Sequence, residues 1–201
     1  MAELDKQRIA VAALAVADEH GVAGFTMRAV AEALGVTPMA LYHHVADKAA
    51  LVALVIEAAL SETPLPSATG VWQDDLWELA RWVRESSHAH PVTAHLHRAN
   101  QAWTPTMLPM TERWIGVWQQ SGLPFECTLE AAAVSSMAIY GYVDAELRFQ
   151  AMKRPDESML DFLPNTRSMY TTEHDADAEF ELVVRALIEG LHARLDARVR
   201  H

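Results

Sequence analysis

Apolar residues recur at helical spacing along almost the whole chain, β-branched runs are short and no Asn-Gly hairpin signal appears, which predicts an all-α fold. Ile9, Ala13 and Val16 give a first helix, from about residue 6 to 20, an inward stripe, and Gly21 is placed to stop it in the left-handed conformation. Val30 and Leu34 belong to a second helix that opens at Thr26 and ends at Gly35. Leu41 and Val45 belong to a third that opens at Thr37, with Pro38 at the first helical position. Leu51, Leu54, Val55 and Ala58 form one face of a fourth helix, opening at Asp47. Residues 63–70 hold Pro64, Pro66 and Gly70 and cannot continue a helix. They divide a small domain, residues 1–62, from a larger one, residues 70–201. The larger part predicts helices near 71–89, 92–102, 106–121, 125–150 and 176–199, separated or introduced by Pro91, Pro105, Pro124 and Pro155. Residues 153–175 predict a loop with little regular structure.

Composition changes this picture only at its edges. About half of the 201 residues are apolar, enough for a sizeable core. The longest apolar run, residues 49–60, is too short to span a membrane. The N-terminus lacks the basic start and apolar stretch of a secretory signal, so a soluble, cytoplasmic protein is expected. The single cysteine, Cys127, excludes an intrachain disulfide. The net charge of −11 offers no broad electrostatic footprint for nucleic acid, and residues 1–60 carry four Lys or Arg against seven Asp or Glu. A DNA-binding function therefore depends on where the few cations sit.

Residues 25–45 concentrate the chemistry. Two short helices are joined by Leu34, Gly35, Val36 and Thr37, a glycine-containing turn that lets helices cross steeply. Val30, Leu34, Val36, Leu41 and Val45 face inward, which leaves Thr37, Pro38, Met39, Tyr42 and His43 outward. A helix of about eight residues with small side chains near its start fits the major groove. Thr26, Thr37 and Lys48 stand at three helix starts, where the helix dipole favours a phosphate. Tyr42 and His44 add donors, and Arg28 reaches toward a guanine edge or a phosphate. As alternatives, Tyr42 and His44 pack at a helix junction, the threonines are plain caps, and Arg28 and Lys48 are solvated charges.

Residues 24–60 strongly resemble the N-terminal domain of the tetracycline-repressor (TetR) family. The matching residues include Thr26, Arg28, Val30, Ala31, Leu34, Gly35, Val36, Leu41, Tyr42, His44, Val45, Lys48, Leu51 and Leu54. The Leu-Tyr-x-His-Val-x-x-Lys-x-x-Leu pattern of residues 41–51 is the most specific part. The resemblance implies a three-helix, homeodomain-like helix-turn-helix domain with residues 37–43 as its recognition helix. It places Thr26, Thr37, Tyr42, His44 and Lys48 on phosphates, and Arg28, Pro38 and Met39 near bases. It also implies a larger C-terminal helical domain for ligand binding and dimerisation, resembled more loosely over 71–150 and 176–199. The implied partners are a double-stranded, palindromic DNA operator, a second copy of the chain, and a small effector that releases the DNA.

The dimer helices are expected near 125–150 and 176–199. The first offers small residues (Ala131, Ala132, Ser135, Ala138, Gly141) and the second an apolar stripe (Phe180, Val183, Val184, Leu187, Leu191, Leu195). Both sets also suit an intramolecular core. The candidate effector pocket comprises Trp82, His97, Asn100, Trp103, Met107, Trp114, Trp118, Met137, Tyr140 and Asp144, a mixture suited to an apolar or aromatic molecule. His88, His90, His95 and His97 lack the i, i+4 pairing of a helical metal site, and no metal or cofactor is expected. Two other functions remain as alternatives. One is a His-metal hydrolase using His88, His90, His95 and His97 with Asp74 or Asp75; the other is an interaction module with a degenerate helix-turn-helix.

Overall fold

A computed structural model describes residues 4–100 and 107–200, with side chains up to residue 96 in the first stretch. Among these residues the chain is helical with no strand. The helices are α1 (Lys6–Gly24), α2 (Met27–Ala33), α3 (Pro38–Tyr42), α4 (Lys48–Glu62), α5 (Trp72–Ala89), α6 (Pro91–Asn100), α7 (Met107–Gln119), α8 (Phe125–Ala151), α9 (Pro164–Thr171) and α10 (Ala176–Val199). Among the described residues no helix is long and apolar enough to cross a membrane.

Two apolar clusters organise the chain. The first joins α1 to α4 around Ile9, Ala13, Phe25, Val30, Leu41, Leu51 and Val55, and takes in Leu96 from α6. The second joins α5, α7, α8 and α10 around Leu76, Leu79, Trp118, Ala131, Phe180, Val184 and Ile188. Leu60 packs at the edge of both. Helix α6 lies against α1 and α4, so a helix from beyond residue 70 completes the N-terminal core. The connection between the clusters is fixed at both ends. Trp82 Nε1 donates to the Thr63 carbonyl at 2.8 Å, and the buried Asp75 carboxylate accepts from the Thr69 hydroxyl at 2.7 Å.

The helix boundaries follow local chemistry. Asp5, Thr26, Thr37, Asp47 and Asp175 cap helix starts, each accepting from an amide two or three residues on. Gly21 has φ of 63°, which interrupts α1 as its sequence predicts, yet one more turn follows to Gly24. Residues 153–175 correct the expectation of an irregular loop. They hold a short 3₁₀ helix, Glu157–Leu160, and α9, which begins on Pro164. Proline ends a helix from within but starts one well, because its missing N–H is unneeded there.

The two dimer-candidate helices divide their faces. Ala131, Ala132 and Ser135 of α8 are buried inside the chain. Ser135 Oγ accepts from Trp114 Nε1 at 3.1 Å and Trp118 Nε1 at 3.0 Å, and donates to the Ala131 carbonyl at 2.6 Å. These small residues therefore make room for two tryptophans of the same chain. Phe180, Val184 and Leu195 of α10 are likewise internal, with Leu187 and Leu191 packed partly against the same core. The outward faces keep part of the expected sets, Ala138 and Gly141 on α8 and Val183 on α10, and add Val134, Met137 and Ala145 on α8 and Leu182, Ala186, Ala193 and Ala197 on α10.

His90, at the α5–α6 corner, ties the two halves together. Its Nδ1 lies 2.7 Å from the Asp18 carboxylate of α1, and its Nε2 lies 3.1 Å from the Glu62 carboxylate of α4. Burial disfavours the imidazolium, but the two carboxylates outweigh it and raise the pKa above the usual value near 6.5. A raised histidine pKa contributes stability that is complete below the unfolded value and is lost as pH rises through the folded one. The thermal stability of the wild type over His90→Ala is therefore expected to be largest near pH 6 and to shrink toward pH 9. A pH-independent difference in melting temperature would show that the ring acts only by packing.

Candidate nucleic-acid interface and ligand cavity

The helix-turn-helix is built from caps and one glycine. Thr26 Oγ1 accepts from the Ala29 amide at 3.1 Å to start α2, and Thr37 Oγ1 accepts from the Ala40 amide at 3.2 Å to start α3. Between them Gly35 adopts φ of 68°, and the Gly35 and Val36 amides return to the Glu32 and Ala31 carbonyls at 3.0 Å. Val30 and Leu41 are buried beneath this turn. Each capping threonine uses its oxygen as an acceptor and keeps its own proton, so capping does not compete with donation to a phosphate.

Thr26, Arg28, Thr37, Pro38, Met39, Tyr42, His43, His44 and Lys48 are all exposed. The regular part of α3 is five residues, shorter than the eight expected, with Thr37 as its cap and His43 flanking its C-terminus. The start of α4 differs from a bare anion site. Asp47 occupies the cap and accepts from the Ala50 amide at 2.8 Å, so a carboxylate already satisfies that amide. Lys48 is held otherwise: its ammonium lies 5.7 Å from the centre of the Phe25 ring. Phe25 is fully buried and immediately precedes Thr26, so it brings the α4 cation to the start of α2. Sequence reasoning missed Phe25 because an aromatic residue beside a cap reads as ordinary core.

A cavity of about 740 Å³ lies between α4, α5, α6, α7 and α8. Helix α4 contributes Ile56, Ala59 and Leu60; α5 contributes Val83, Ser86 and Ser87; α6 contributes Thr93 and Ala94. Of the expected pocket residues, Met107, Trp114, Met137, Tyr140 and Asp144 line it. Two others lie elsewhere. Trp82 is 5% exposed, with its indole committed to the linker carbonyl of Thr63, and Trp118 is wholly buried against Ser135. Both are core groups whose hydrogen bonds are already made. Trp103 and the side chains of His97 and Asn100 lie outside the described residues.

The described histidines of this stretch have separate partners. His88 Nε2 lies 3.0 Å from Glu146, His90 bridges Asp18 and Glu62, and His95 Nδ1 lies 3.1 Å from the Pro91 carbonyl. The side chain of His97 is outside the described residues. Asp74 pairs with Arg185 at 3.2 Å, while Asp75 holds Thr69. Among the described residues no group of three or more His, Cys, Asp or Glu side chains is arranged to hold an ion. The described members of the hydrolase constellation, His88, His90, His95, Asp74 and Asp75, are thus held in separate pairs.

Comparison with known proteins places this geometry. The family model "Bacterial regulatory proteins, tetR family" matches residues 9–55, and "Tetracyclin repressor-like, C-terminal domain" matches residues 63–195. The tetracycline repressor protein class A from transposon 1721 (Escherichia coli) is 36% identical over 110 residues, which span 53% of this chain and 51% of that repressor. The class E tetracycline repressor of Escherichia coli is 27% identical over 98% of this chain and 95% of its own length. The solved structure of the TetR family protein ActR from Streptomyces coelicolor, in complex with (S)-DNPA, superposes with a TM-score of 0.75. It is 28% identical and the match covers 96% of this chain and 99% of ActR. With an N-terminal helix-turn-helix and a helical C-terminal part that both match the family's own, this chain belongs to the TetR family of bacterial regulatory proteins.

Proposed function

We propose that the chain is a transcriptional repressor that binds a two-fold DNA operator as a homodimer and leaves it when an effector fills the α4–α8 cavity. One observation carries this: α4 belongs to both sites. It begins at Lys48, among the exposed residues of the helix-turn-helix, and lines the cavity at Ile56, Ala59 and Leu60. Eight to twelve residues of helix separate these points, roughly 12–18 Å of stiff rod. A ligand that displaces the cavity wall therefore moves the DNA-facing end. It shifts the equilibrium only by its preference for one of the two positions.

The division of labour follows the two clusters. Residues 1–62 bind DNA, with Thr26, Thr37, Tyr42, His44 and Lys48 on phosphates and Arg28, Pro38 and Met39 toward bases. His43 stands at the end of the recognition helix. Residues 70–201, with Ile56, Ala59 and Leu60 of α4, hold the effector, and the outward sides of α8 and α10 form the dimer face. The docking of α6 on α1 and α4 couples the halves, so residues 63–70 do not separate two independently packed units. This function needs no catalytic step.

The test is an operator chosen from random duplexes by wild-type protein, followed by salt titration of the variants. Lys48→Ala and Tyr42→Ala are expected to weaken binding to all sequences similarly, and Lys48→Ala to lower the salt slope by about 1 per half-site. Arg28→Ala should instead relax sequence preference. Absence of any preference by the wild type at low salt, or unchanged binding in all three variants, would overturn the proposal in favour of a helix-turn-helix with no DNA role.

A further inference from the structure

Ser86 carries a hydroxyl that the described chain does not use. It lies on α5, is 5% exposed, lines the cavity, and its Oγ has no hydrogen-bond partner. The other serine and threonine hydroxyls of the wall are committed to their own backbone. Ser87 donates to the Val83 carbonyl at 2.8 Å, Thr93 to His90 at 2.7 Å, Thr111 to Met107 at 3.0 Å, and Ser136 to Ala133 at 3.1 Å. A helical serine ordinarily bonds the carbonyl one turn back in this way. Buried polar groups are rarely left unpaired in folded proteins, and an orphan at a cavity wall points to a partner that arrives from outside.

The charge of the wall narrows what that partner is. Among the described lining residues there is no Lys, Arg or His. The carboxylate that does line the cavity, Asp144, is paired with Arg148 at 2.8 Å. Against these described residues an anionic ligand would lose its hydration and gain no counter-ion. Trp114, Met110, Val83 and Ile139 supply apolar surface instead, with the Trp114 indole tied back to Ser135. Building on the effector reading above, we propose that the cavity takes an uncharged, ring-containing, mostly apolar molecule bearing an oxygen acceptor, and that Ser86 Oγ donates to that oxygen.

Three probes of nearly equal size separate the possibilities: fluorenone, fluorene and fluorene-9-carboxylate, titrated by tryptophan fluorescence and by melting-temperature shift. Ser86→Ala is expected to weaken fluorenone binding about five-fold, the worth of one net hydrogen bond, and to leave fluorene binding unchanged. The carboxylate should bind more weakly than the ketone in both proteins. The melting temperature of unliganded Ser86→Ala should equal or exceed that of wild type, because no internal bond is lost. Unchanged ketone binding, or a lowered melting temperature of the free variant, overturns the role of Ser86 while leaving the cavity as the effector site. Preference for the carboxylate overturns the uncharged class. Failure of all three probes to bind wild type overturns the cavity as an effector site, and with it the reading on which this inference rests.

Discussion

Arg84→Ala is expected to destabilise the C-terminal half by about 1.5–3 kcal/mol, the range for hydrogen bonds to charged groups, since the pair is only partly buried. Arg84 lies on α5 with its side chain 14% exposed. Its Nε and Nη2 donate to the Glu146 carboxylate of α8 at 2.9 and 2.7 Å, and its Nη1 donates to Asp177 of α10 at 2.7 Å. The guanidinium also lies 5.0 Å from the centre of the Phe180 ring. One side chain thus clamps three helices. The hydrogen bond to Glu146 raises the Arg84 pKa, against the opposing effect of burial. Truncation leaves Glu146, 10% exposed, facing His88 at 3.0 Å.

Urea denaturation at one fixed protein concentration measures the loss, since the stability of the proposed dimer would depend on concentration. The double variant Arg84→Met with Glu146→Leu should lose much less, because the cost lies in the abandoned charge. Acid supplies a second readout. Burial works to raise the Glu146 pKa, but the bonds from Arg84 and His88 outweigh it and hold it below the usual carboxylate value. A depressed carboxylate stabilises above its unfolded pKa and loses that contribution as pH falls through the folded one. The gap between wild type and Arg84→Ala should therefore narrow below about pH 4.5. A gap that stays constant there would assign the loss to packing on Phe180.

This clamp also marks where sequence reasoning stops. Thr26, Thr37 and Asp47 announce their helices because a cap acts on amides within its own turn, and Gly35 announces the turn because its φ is a local demand. Arg84 meets Glu146 and Asp177 across 62 and 93 residues, and nothing in the local pattern selects those partners. The cavity fails to show for a related reason. Periodicity says that Trp82, Trp114 and Trp118 face inward, but not which of them meets protein and which meets open space. Only Trp114 lines the cavity. Helix α4 did carry a usable signal. Leu51, Val52, Val55, Ile56, Ala58 and Ala59 are apolar around much more than one stripe, as befits a helix packed on two sides. Taken seriously, that breadth would have put α4 in contact with the second domain.

If the chain acts as the proposed homodimer, charge at Gly190 is expected to separate it and to cost roughly 10²–10⁴-fold in operator affinity, the advantage of engaging two half-sites together. Gly141 of α8 and Gly190 of α10 lie within long helices, where glycine costs about 0.5–1 kcal/mol relative to alanine. Nothing among the described residues requires them, since a Cβ at either position would meet no described atom within 4 Å. Around Gly190 the outward face continues with Ala186, Ala193 and Ala197, small residues that permit a second helix to approach closely. Gly141 also lines the cavity, so Gly190 is the cleaner probe. Gly190→Ala should raise the helix stability of the separated chain and yet weaken dimerisation. Gly190→Glu should leave circular dichroism helical, give monomers by sedimentation, and lose operator binding while retaining weak, salt-sensitive contact with any duplex. Symmetric dimers are the commonest closed assembly, and their interface presents the same patch twice, so one substitution acts on both sides of the contact. If Gly190→Glu remains dimeric and binds its operator as wild type does, the outward face of α10 is solvent-facing and the two chains meet elsewhere.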